Sequence, residues 1–581
     1  MLQISVVWNH SRQEAEEVNT ETIMTIALFL VLLGAAILVM VQNNRAGKRY
    51  LLNRIKKDWG SVPDREYSYE ELDSIAKYGK RIQGDRFYID DTTWNDLDME
   101  RIFMLMNHTM SSCGEDYLYA MLRLPRFDRE TLEERERLTE YFRHHEKERV
   151  EMQLMLAKIG KIKDLSITDY IYRMNQVERK RRTKYFVQAG LSVAAIVTMF
   201  LNPLAGVGFF LGMTVLNVTT HYKDSAAIEP YFKCLTCILR VLQAADALKK
   251  RKIPELDGYL RTIEKDVAAM KGIRKKARLL ANSKGVDDAL SVLTSYLNSF
   301  FLLDFIEFYG ALKEYDGHQK EIEELIEQIG ILDSAIAVAS FRAYLPFYAV
   351  PEFGKHSPVS MEVKNLYHPL ISEPVANSIS VSGGTLVTGS NASGKSTFLK
   401  NIAVNAILSQ TIYTCTASEY RADMVKVMTS MALRDDLQGG ESYYIVEIKS
   451  IKRILDEAAK GAPLLCIVDE VLRGTNTIER IAASSRILHA LNQSHVLAFA
   501  ATHDIELSYI LEGFYENYHF EEEISEDDVK FNYLLKSGRA TSRNAIALLE
   551  MIGYDKQIVS EARQAAKDFE DTGIWKGVNR I

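Results

Sequence analysis

Two uninterrupted apolar stretches near the start of the chain break the mixed pattern of hydrophobic and polar positions found elsewhere. The first covers residues 23–41, which are 19 consecutive positions without a charged side chain. A helix rises about 1.5 Å per residue, so this stretch matches a hydrocarbon core about 30 Å thick. Acidic residues precede it and basic residues follow it. Within an N-terminal segment, 1–44, the pattern predicts a transmembrane helix with the N-terminus outside and the remaining chain in the cytoplasm.

The second apolar stretch runs from Tyr185 to Tyr222 and contains no acidic residue, lysine or arginine. It is too long for one crossing, and the pair Asn202-Pro203 near its middle favours a turn. Each arm is about 16 residues long, close to the ~17 that a short span needs. We expect residues 186–219 to form a helical hairpin in the bilayer, so that the chain has three short apolar spans in all. The alternative is a pair of buried helices in a soluble core.

The remaining pattern between residues 45 and 345 is helical. Apolar residues between Ile322 and Ile329 recur at i, i+3, i+4 and i+7, with charged residues between them. That spacing predicts one apolar stripe on a long amphipathic helix. We expect a basic cytoplasmic linker over 45–85 and an all-α domain over 86–345, which the apolar hairpin interrupts.

From about residue 357 the pattern changes to short β-rich runs and then to alternating strands and helices. Three apolar runs are typical of buried parallel strands. They are Thr385–Thr388, Leu464–Val468 and Val496–Ala501. Helical patterns separate them, so we expect an α/β domain over 346–540. The tail, 541–581, is predicted to be helical because its apolar residues return to helical spacing.

Composition limits the function without naming it. A length of 581 residues predicts about three or more folded units. The net charge of −7 gives no overall basic field, so a contact with nucleic acid would have to be a local patch. The five cysteines are scattered, which favours a reducing compartment over a disulfide scaffold. The one C-x-x-C pair, Cys234 and Cys237, lacks a second pair or following histidines for zinc and is predicted to be buried in a helix.

The first apolar strand of the α/β region leads into a glycine-rich loop of the form G-x-x-x-x-G-K-[ST]. Its residues are Gly389, Ser390, Asn391, Ala392, Ser393, Gly394, Lys395 and Ser396, followed by Thr397. Such a loop turns backbone N–H groups toward phosphate oxygens, and the helix after it adds its N-terminal dipole. We expect Lys395 to reach the β- and γ-phosphates of ATP and the Ser396 hydroxyl to ligate Mg²⁺.

The other two apolar strands end in residues that suit the same chemistry. Asp469 and Glu470 follow one strand. Asp469 suits the magnesium ion, and Glu470 can polarise the attacking water as a general base. His503 follows the other strand, where an imidazole can sense the γ-phosphate. Alone, each ending is typical of an ordinary strand-to-loop junction, and only their order after the glycine-rich loop predicts an ATPase with Glu470 and His503 as catalytic residues.

Four motifs of the α/β region, taken in order, carry a family resemblance. They are T-G-S-N-A-S-G-K-S-T at 388–397, D-D-L-Q-G-G-E-S-Y-Y-I-V-E-I at 435–448, D-E-V-L-R-G-T-N-T at 469–477 and A-T-H at 501–503. They are similar to T-G-P-N-M-G-G-K-S-T, D-D-L-x-x-G-x-S-T-F-x-x-E-M, D-E-x-x-R-G-T-S-T and A-T-H of the MutS family of mismatch-repair ATPases. Further likenesses at Tyr88–Met99, Tyr367–Leu370 and Leu535–Asp555 extend the resemblance to about residues 86–570.

The resemblance implies a multidomain fold, in which an all-α MutS-like core and lever domain joins an α/β P-loop ATPase domain of the ABC type. The apolar stretches add transmembrane helices to the helical part. It implies ATP and Mg²⁺ as ligands and a homodimer as the assembly. Ser442 would enter the active site of the partner subunit, so that each ATP is held between two chains. DNA binding, including mismatched DNA, and a relation to mismatch repair follow from the resemblance alone.

Several positions depart from the family pattern. The membrane span and linker stand where the family has a mismatch-reading domain with a Phe-x-Glu wedge, so we expect a member that lacks this domain. The helical region is also short for the family's DNA clamp once the apolar hairpin is subtracted. Asn476 and the pair Glu479-Arg480 replace the usual Ser and Asp-Gly.

The leading interpretation is a membrane-anchored, dimeric MutS-like ATPase with composite ATP sites. The alternative is an ATPase that drives a membrane process, as a transporter or a scaffold in the lipid bilayer, without mismatch recognition. The stretch from Leu437 to Glu441, L-Q-G-G-E, resembles the L-S-G-G-Q signature of transporters. Against a transporter, three short spans make a small pathway, and the hairpin carries no acidic residue, lysine or arginine of the kind that often marks one.

Overall fold

A computed structural model describes most of the chain from residue 45 onward. The described residues are 31, 35, 38, 39, 42, 43, 45–162, 166–177, 182–276, 297–390, 393–431, 443–524, 529–540, 545–575 and 577. The predicted first span, 23–41, therefore lies almost wholly outside the described residues, and so do Asn391, Ala392 and Ser442.

The first part of the described chain is helical. Its helices are α1 (45–58), α2 (Tyr69–Ile82), α3 (Asp91–Asp96), α4 (Met99–Met106), α5 (Ser112–Arg123), α6 (Arg129–His144), α7 (Glu146–Leu156), α8 (Ile167–Arg173), α9 (Arg182–Leu201), α10 (Pro203–Leu248), α11 (Asp257–Ala269), α12 (Lys271–Lys276), α13 (Leu303–Tyr315) and α14 (Gln319–Tyr344). The stripe predicted between Ile322 and Ile329 is buried on α14, which packs against α5, α6 and α11. Helical spacing of apolar residues therefore organises this domain around α14.

Helix α2 lies inside the segment predicted to be a linker. Its N-terminus has a capping box, in which the Ser68 hydroxyl accepts from the N–H of Glu71 and the Glu71 carboxylate accepts from the N–H of Ser68. Its apolar face, with Leu72 and Ile75, is buried against α5. The folded helical domain therefore begins before residue 86, because a charged segment still has apolar residues at helical spacing.

The second apolar stretch forms two antiparallel helices. Helix α9 ends at Leu201 and α10 begins at Pro203, and the Asn202 side chain accepts from the N–H of Ala205 at 3.3 Å. The turn thus falls at the Asn202-Pro203 pair, as the sequence indicates. Thr183–Leu201 and Pro203–Ala226 are long and apolar enough, by length and composition, to cross a membrane.

Polar side chains of this hairpin pair with each other between the two helices. Asp224 accepts from Lys184 at 2.8 Å, and Gln188 donates to Thr220 at 3.2 Å. The next layer has the buried Asn217, which donates to Ser192 at 2.7 Å and to the carbonyl of Phe300 at 2.6 Å. These pairs leave large apolar side chains facing outward. Among the most exposed are Phe200, Leu201 and Leu204, at 82%, 82% and 89%.

Helix α10 continues beyond the hairpin into the helical domain. It is a single helix of 46 residues, so the predicted end of the hairpin at residue 219 does not interrupt it. Its second half carries Cys234 and Cys237, which are both buried among the apolar side chains of the domain, as the sequence predicts. The apolar hairpin is thus a direct extension of a core helix.

The second part of the described chain is an α/β domain. Its elements are β1 (Glu352–Gly354), β2 (Met361–Leu366), β3 (Asn377–Val381), β4 (Gly384–Thr388), α15 (Lys395–Thr411), β5 (Glu419–Asp423), β6 (Lys426–Ser430), α16 (Tyr443–Ala458), β7 (Leu464–Asp469), α17 (Thr477–Leu491), β8 (Val496–Thr502), α18 (Ile505–Ile510), β9 (Tyr515–His519), β10 (Glu522–Ile524), β11 (Val529–Phe531) and β12 (Lys536–Ser537). Two further helices follow, α19 (Ala545–Met551) and α20 (Lys556–Thr572).

The main sheet of the α/β domain has the strand order β12-β9-β4-β8-β7-β6. All neighbouring pairs from β9 to β6 are parallel, and only β12 runs antiparallel. The register pairs Thr388 of β4 with Thr502 of β8, and Asp469 of β7 with Ala501. The residues that follow β4, β7 and β8 therefore lie together at one edge of the sheet.

Buried polar contacts join the helical domain to the α/β domain. Arg342 of α14 is buried, donates to Glu140 of α6 at 2.8 Å, and donates to the carbonyl of Tyr413 at 2.9 Å. Lys400, on the helix that follows the glycine-rich loop, donates to Asp98 at 2.7 Å. Because Lys400 lies on α15, a shift of this helix would act directly on the helical domain.

Candidate nucleotide site

The glycine-rich loop connects β4 to α15 at the carboxyl edge of the sheet. Gly389 and Gly394 have φ values of 144° and 104°, which L side chains rarely adopt. A Cβ atom at Gly389 would lie 2.6 Å from the carbonyl oxygen of Phe520. Both positions therefore require glycine, and the loop can bring its backbone N–H groups close to a bound anion.

The Lys395 ammonium group lies inside this loop. Its Nζ atom donates to the carbonyl oxygens of Gly389 at 2.9 Å and Ser390 at 2.7 Å, and it lies 3.4 Å from Nε2 of His503. Burial lowers the pKa of Lys395, while the charge of Glu470 works against that shift. Lys395 is therefore a cation that the backbone carbonyls of the loop and the nearby acidic residues hold inside the loop.

Asp469 ends β7 and faces the start of α15. Burial raises its pKa, and a hydrogen bond with Ser396 opposes that rise. Among the described residues, the buried Oδ1 atom of Asp469 has no hydrogen-bond partner. A carboxylate oxygen without a partner, beside a hydroxyl group, offers the oxygen ligands that Mg²⁺ prefers.

Asp469 and Ser396 are the side chains near this position that would contact a magnesium ion. Within the described part of the chain, no group of three or more His, Cys, Asp and Glu side chains is arranged to hold a metal ion. Mg²⁺ is usually bound through one or two carboxylates together with phosphate oxygens of the substrate. Ser396 and Asp469 thus fit the ion that the sequence predicts.

Glu470 is held by two basic side chains. Its Oε1 atom lies 2.9 Å from Nε2 of His503, and its Oε2 atom forms an ion pair with Arg473. Burial alone would raise its pKa, but the hydrogen bonds with His503 and Arg473 outweigh burial and lower the pKa to about 2. The backbone of Glu470 has a φ of 55°, the left-handed region that side chains other than glycine enter at a cost. Its N–H donates to the carbonyl of Ala501 at 2.9 Å, which helps to hold this conformation.

A buried glutamate on α16 fixes the loop after Glu470. The Oε1 atom of Glu447 accepts from the N–H groups of Leu472 at 2.6 Å and Arg473 at 3.3 Å. Burial raises the pKa of Glu447, against the effect of these hydrogen bonds. Glu447 therefore connects α16 to the loop beside the acidic pair.

A cavity of about 560 Å³ is lined by Lys395, Ser396, Glu470 and His503. Other lining residues are Ser393, Gly394, Thr397, Ile371, Pro374, Val375, Asn377 and Tyr533. The cavity thus combines a cation and hydrogen-bonding groups with apolar side chains, which suits a ligand with a phosphate chain and a flat base.

Tyr533 is a lining residue that the sequence analysis missed. Its carbonyl accepts from the Asn377 side chain at 3.0 Å, and its backbone φ is 53°. Its ring lies over Gly394, because a Cβ atom there would be 3.1 Å from the ring. Asn377 and Tyr533 are 156 positions apart in the chain. A single tyrosine between short strands gives no local sequence signal of such a contact.

The structure brings most of the predicted site residues together. Ser393, Gly394, Lys395, Ser396 and Thr397 line the same cavity as Glu470 and His503. Asp469 adjoins it through Ser396, and Gly389 and Ser390 through the Lys395 ammonium. The predictions for Asn391, Ala392 and Ser442 concern positions outside the described residues.

Comparison with known proteins agrees with this geometry. Residues 385–570 match the family model for MutS domain V. The chain is 30% identical over 264 residues to a DNA mismatch repair protein MutS of Thermus thermophilus, covering 44% of this chain and 32% of that protein. It is 29% identical over 272 residues to MutS protein homolog 4 of Mus musculus, covering 43% and 28%.

A longer match extends the similarity into the helical domain. The DNA mismatch repair protein MutS of Finegoldia magna is 23% identical over 523 residues, which is 81% of this chain and 60% of that protein. The chain spans about a third of the length of the Thermus relatives it matches. The ordered motifs, the domain V match and these relatives together support the assignment of this chain to the MutS family.

Proposed function

We propose that this chain binds ATP and hydrolyses it with Mg²⁺ at the carboxyl edge of the main sheet. One observation carries the proposal: Lys395, Glu470 and His503 lie at the ends of three neighbouring parallel strands and line a single cavity, which Asp469 adjoins through Ser396. Phosphoryl transfer needs little covalent help from a protein and depends on positioning and charge. The convergence of one cation, two carboxylates and an imidazole supplies both.

Each residue has a separate task in this reaction. Lys395 and the loop N–H groups hold the β- and γ-phosphates. Ser396 and Asp469 would hold Mg²⁺, which would supply positive charge to the phosphate oxygens. Glu470 is ionised at neutral pH and accepts a hydrogen bond from the attacking water, and His503 contacts the γ-phosphate.

The hydrolysis of ATP requires water and no further reactant. The water oxygen forms a bond to the γ-phosphorus, and the bond from this phosphorus to the bridging oxygen of ADP breaks. A proton of the water passes to the Glu470 carboxylate and then to an oxygen of the released phosphate. Glu470 is therefore restored, and ADP and phosphate leave.

A comparison of two lysine variants tests this activity. Lys395→Ala should lose ATP binding and turnover, because it removes the cation that contacts the carbonyls of the glycine-rich loop. Lys452→Ala is the matched control, since Lys452 is exposed on α16 and pairs with Asp456 on the same helix. Equal turnover in Lys395→Ala and the control would contradict the proposal.

The second part of the proposal is a homodimer in which Ser442 of one chain completes the ATP site of the other. It rests on the family resemblance of residues 435–448. The helices that follow Glu470 and His503 in the chain carry exposed apolar side chains that a partner chain would cover, Ile478 on α17 at 83% and Tyr509 on α18 at 60%. These residues flank the elements that carry Glu470 and His503.

The third part is attachment to a membrane through the α9–α10 hairpin. Its outward face is apolar and its polar residues pair inside, which is the reverse of a soluble helix pair. Together with the predicted span at 23–41, the hairpin gives the three spans of the proposal, with the α/β domain in the cytoplasm. This hairpin also favours the second candidate function, an ATPase that serves a membrane process without mismatch recognition.

Fluorescence quenching tests insertion of the hairpin in the full chain. A bimane label on Leu204→Cys, at the hairpin turn, should be quenched in vesicles whose acyl chains carry bromine. The same label on Tyr69→Cys is the control, because Tyr69 is 81% exposed on α2 of the helical domain. Equal quenching at both positions would contradict insertion.

The fourth part is a role with DNA. It is supported by the family assignment and by relatives named DNA mismatch repair proteins. Titrations of mismatched, branched and plain duplexes at several salt concentrations distinguish it from the membrane process. Affinity no higher than for the plain duplex, for every structure tried, would leave the membrane process as the function.

A further inference from the structure

We propose that Arg480 is a positioning residue for His503 and acts through Asp504. This inference rests on the proposed ATP hydrolysis and assigns a role to a residue outside the motifs. Arg480 lies on α17, and its Nε atom donates to Oδ2 of Asp504 at 2.8 Å while a second nitrogen donates to Oδ1 at 2.5 Å. Asp504 directly follows His503 in the chain.

The contact is a two-pronged ion pair, which restricts the carboxylate more than a single hydrogen bond does. Both partners are mostly shielded, at 26% and 14% side-chain exposure. The N–H of Asp504 also donates to the Thr502 hydroxyl at 3.0 Å. The residues before and after His503 are thus both held, and the direction of the His503 side chain is restricted.

The carboxylate of Asp504 pairs with Arg480 and does not cap the helix that follows it. Asp504 stands at the N-cap position of α18, where an aspartate normally accepts from the first N–H groups of the helix. Its side chain makes no such capping hydrogen bond. The pair therefore joins α17 to the His503 loop in place of stabilising α18, which indicates that the position of the loop matters more than the cap.

Arg480 also stands where this chain departs from its family. The resemblance of residues 469–477 continues in the family with Asp-Gly, and this chain has Glu479-Arg480. A glycine at that position has no side chain to reach Asp504. The anchor is therefore a property of this chain and is not required by the motif.

The expected effect is on turnover and not on ATP binding. His503 lies 2.9 Å from Glu470 and 3.4 Å from Lys395, so a small displacement of its ring alters contacts with both. Displacements of about 1 Å near a reacting centre lower rates by up to ~100-fold. Loss of the anchor leaves the His503 ring in place for part of the time, so we expect kcat to fall about tenfold with KM for ATP unchanged.

The test measures kcat and KM for ATP in the full-length protein for Arg480→Gln, Asp504→Asn, the double variant and Arg480→Lys. We expect each single variant to lower kcat about tenfold, the double variant to lower it no further, and lysine to restore part of the rate. Arg486→Gln is the matched control, because Arg486 is exposed on the same helix and its loss removes the same charge. Asp504→Asn is nearly isosteric, so it reports on the pair even where Arg480→Gln fails to fold.

Three outcomes would overturn the inference. The first is an undiminished kcat in Asp504→Asn, the second is a rise in KM that accounts for the whole loss, and the third is a double variant in which the two losses multiply. Each of these, with an active wild-type protein, leaves the proposed ATPase intact. A wild-type protein without ATP turnover would instead overturn the proposed function and this inference together.

Discussion

The Nε2 atom of His503 lies 2.9 Å from the Oε1 atom of Glu470. The contact joins the residue after β8 to the residue after the neighbouring strand β7, and it helps to lower the pKa of Glu470 to about 2. Glu470 is consequently a fixed anion at neutral pH. A carboxylate with so low a pKa is a weak base on its own. The ability of Glu470 to activate the attacking water therefore depends on the position in which His503 holds it.

The first prediction concerns His503 itself. His503→Ala should reduce ATP turnover by about 100-fold, because it removes both a contact to the γ-phosphate and one of the two groups that orient Glu470. ATP affinity should change less, since Lys395 and the loop remain. Steady-state turnover and nucleotide titration measure the two effects. His144→Ala, at an exposed histidine on α6, is the control, and turnover equal to this control would contradict the role of His503.

The second prediction concerns Tyr533, which lines the cavity. Tyr533→Ala should weaken ATP binding about tenfold or more, because stacking of a base on an aromatic ring contributes about 1–3 kcal/mol. Binding of inorganic triphosphate, which has no base, should be unaffected. Equal loss for both ligands would show that the substitution damages the loop instead. Tyr533→Phe should retain the affinity of the wild type.

The glycine-rich loop, Asp469, Glu470 and His503 could be predicted because each follows a buried strand. Parallel strands bring such endings to one edge, so short-range sequence patterns were sufficient. Tyr533 and the pair of Arg480 with Asp504 could not be predicted in this way. Their contacts join residues 156 and 24 positions apart, and no periodicity or motif connects them. The structure was needed to find them.

The third prediction concerns acid stability of the helical domain. Glu115 is buried and pairs with Arg65 at 2.9 Å and Lys161 at 2.8 Å. Burial alone would raise its pKa, but Lys161 and Arg65 lower it below the ordinary 4.5. The stabilisation is therefore complete above about pH 4.5 and is lost as the pH falls through the lower pKa of the folded state.

Glu115→Gln should lower the free energy of unfolding at neutral pH by about 3 kcal/mol, because the buried Lys161 loses its carboxylate partner and Arg65 keeps only Glu71. The dependence of stability on pH below about 4.5 should also become flatter than in the wild type. Urea unfolding followed by tryptophan fluorescence measures both. Glu130→Gln, at an exposed position on α6, is the control and should change neither the free energy of unfolding nor its pH dependence. An unchanged pH dependence in Glu115→Gln would contradict the prediction.

The fourth prediction concerns the shared site. Ser442→Ala and Lys395→Ala should each be inactive alone. An equal mixture should recover about a quarter of the wild-type turnover per ATP site, because half of the chains form mixed dimers with one complete site. Ser442→Ala mixed with itself is the control. A mixture as inactive as its components would indicate that Ser442 acts within its own chain, and an active Ser442→Ala protein would indicate that Ser442 has no role in turnover.

The helical half of the chain was predicted less fully than the α/β half. The hairpin turn at Asn202 could be predicted because proline interrupts an otherwise apolar run. The extent of α10 could not, since Pro230 within it would ordinarily end a helix, and packing of its second half against the domain maintains the helix. In α2 the charged residues dominate the composition, and only the capping box and the spacing of Leu72 and Ile75 reveal a buried face.

Single-turnover hydrolysis by Glu470→Gln tests the central claim most directly. The substitution keeps the shape of the side chain and removes its charge. We expect ATP affinity within about twofold of the wild type and a hydrolysis rate at least ~100-fold lower, with Glu130→Gln as an unaffected control. Hydrolysis by Glu470→Gln at the wild-type rate would contradict the assignment of this site as the one that hydrolyses ATP.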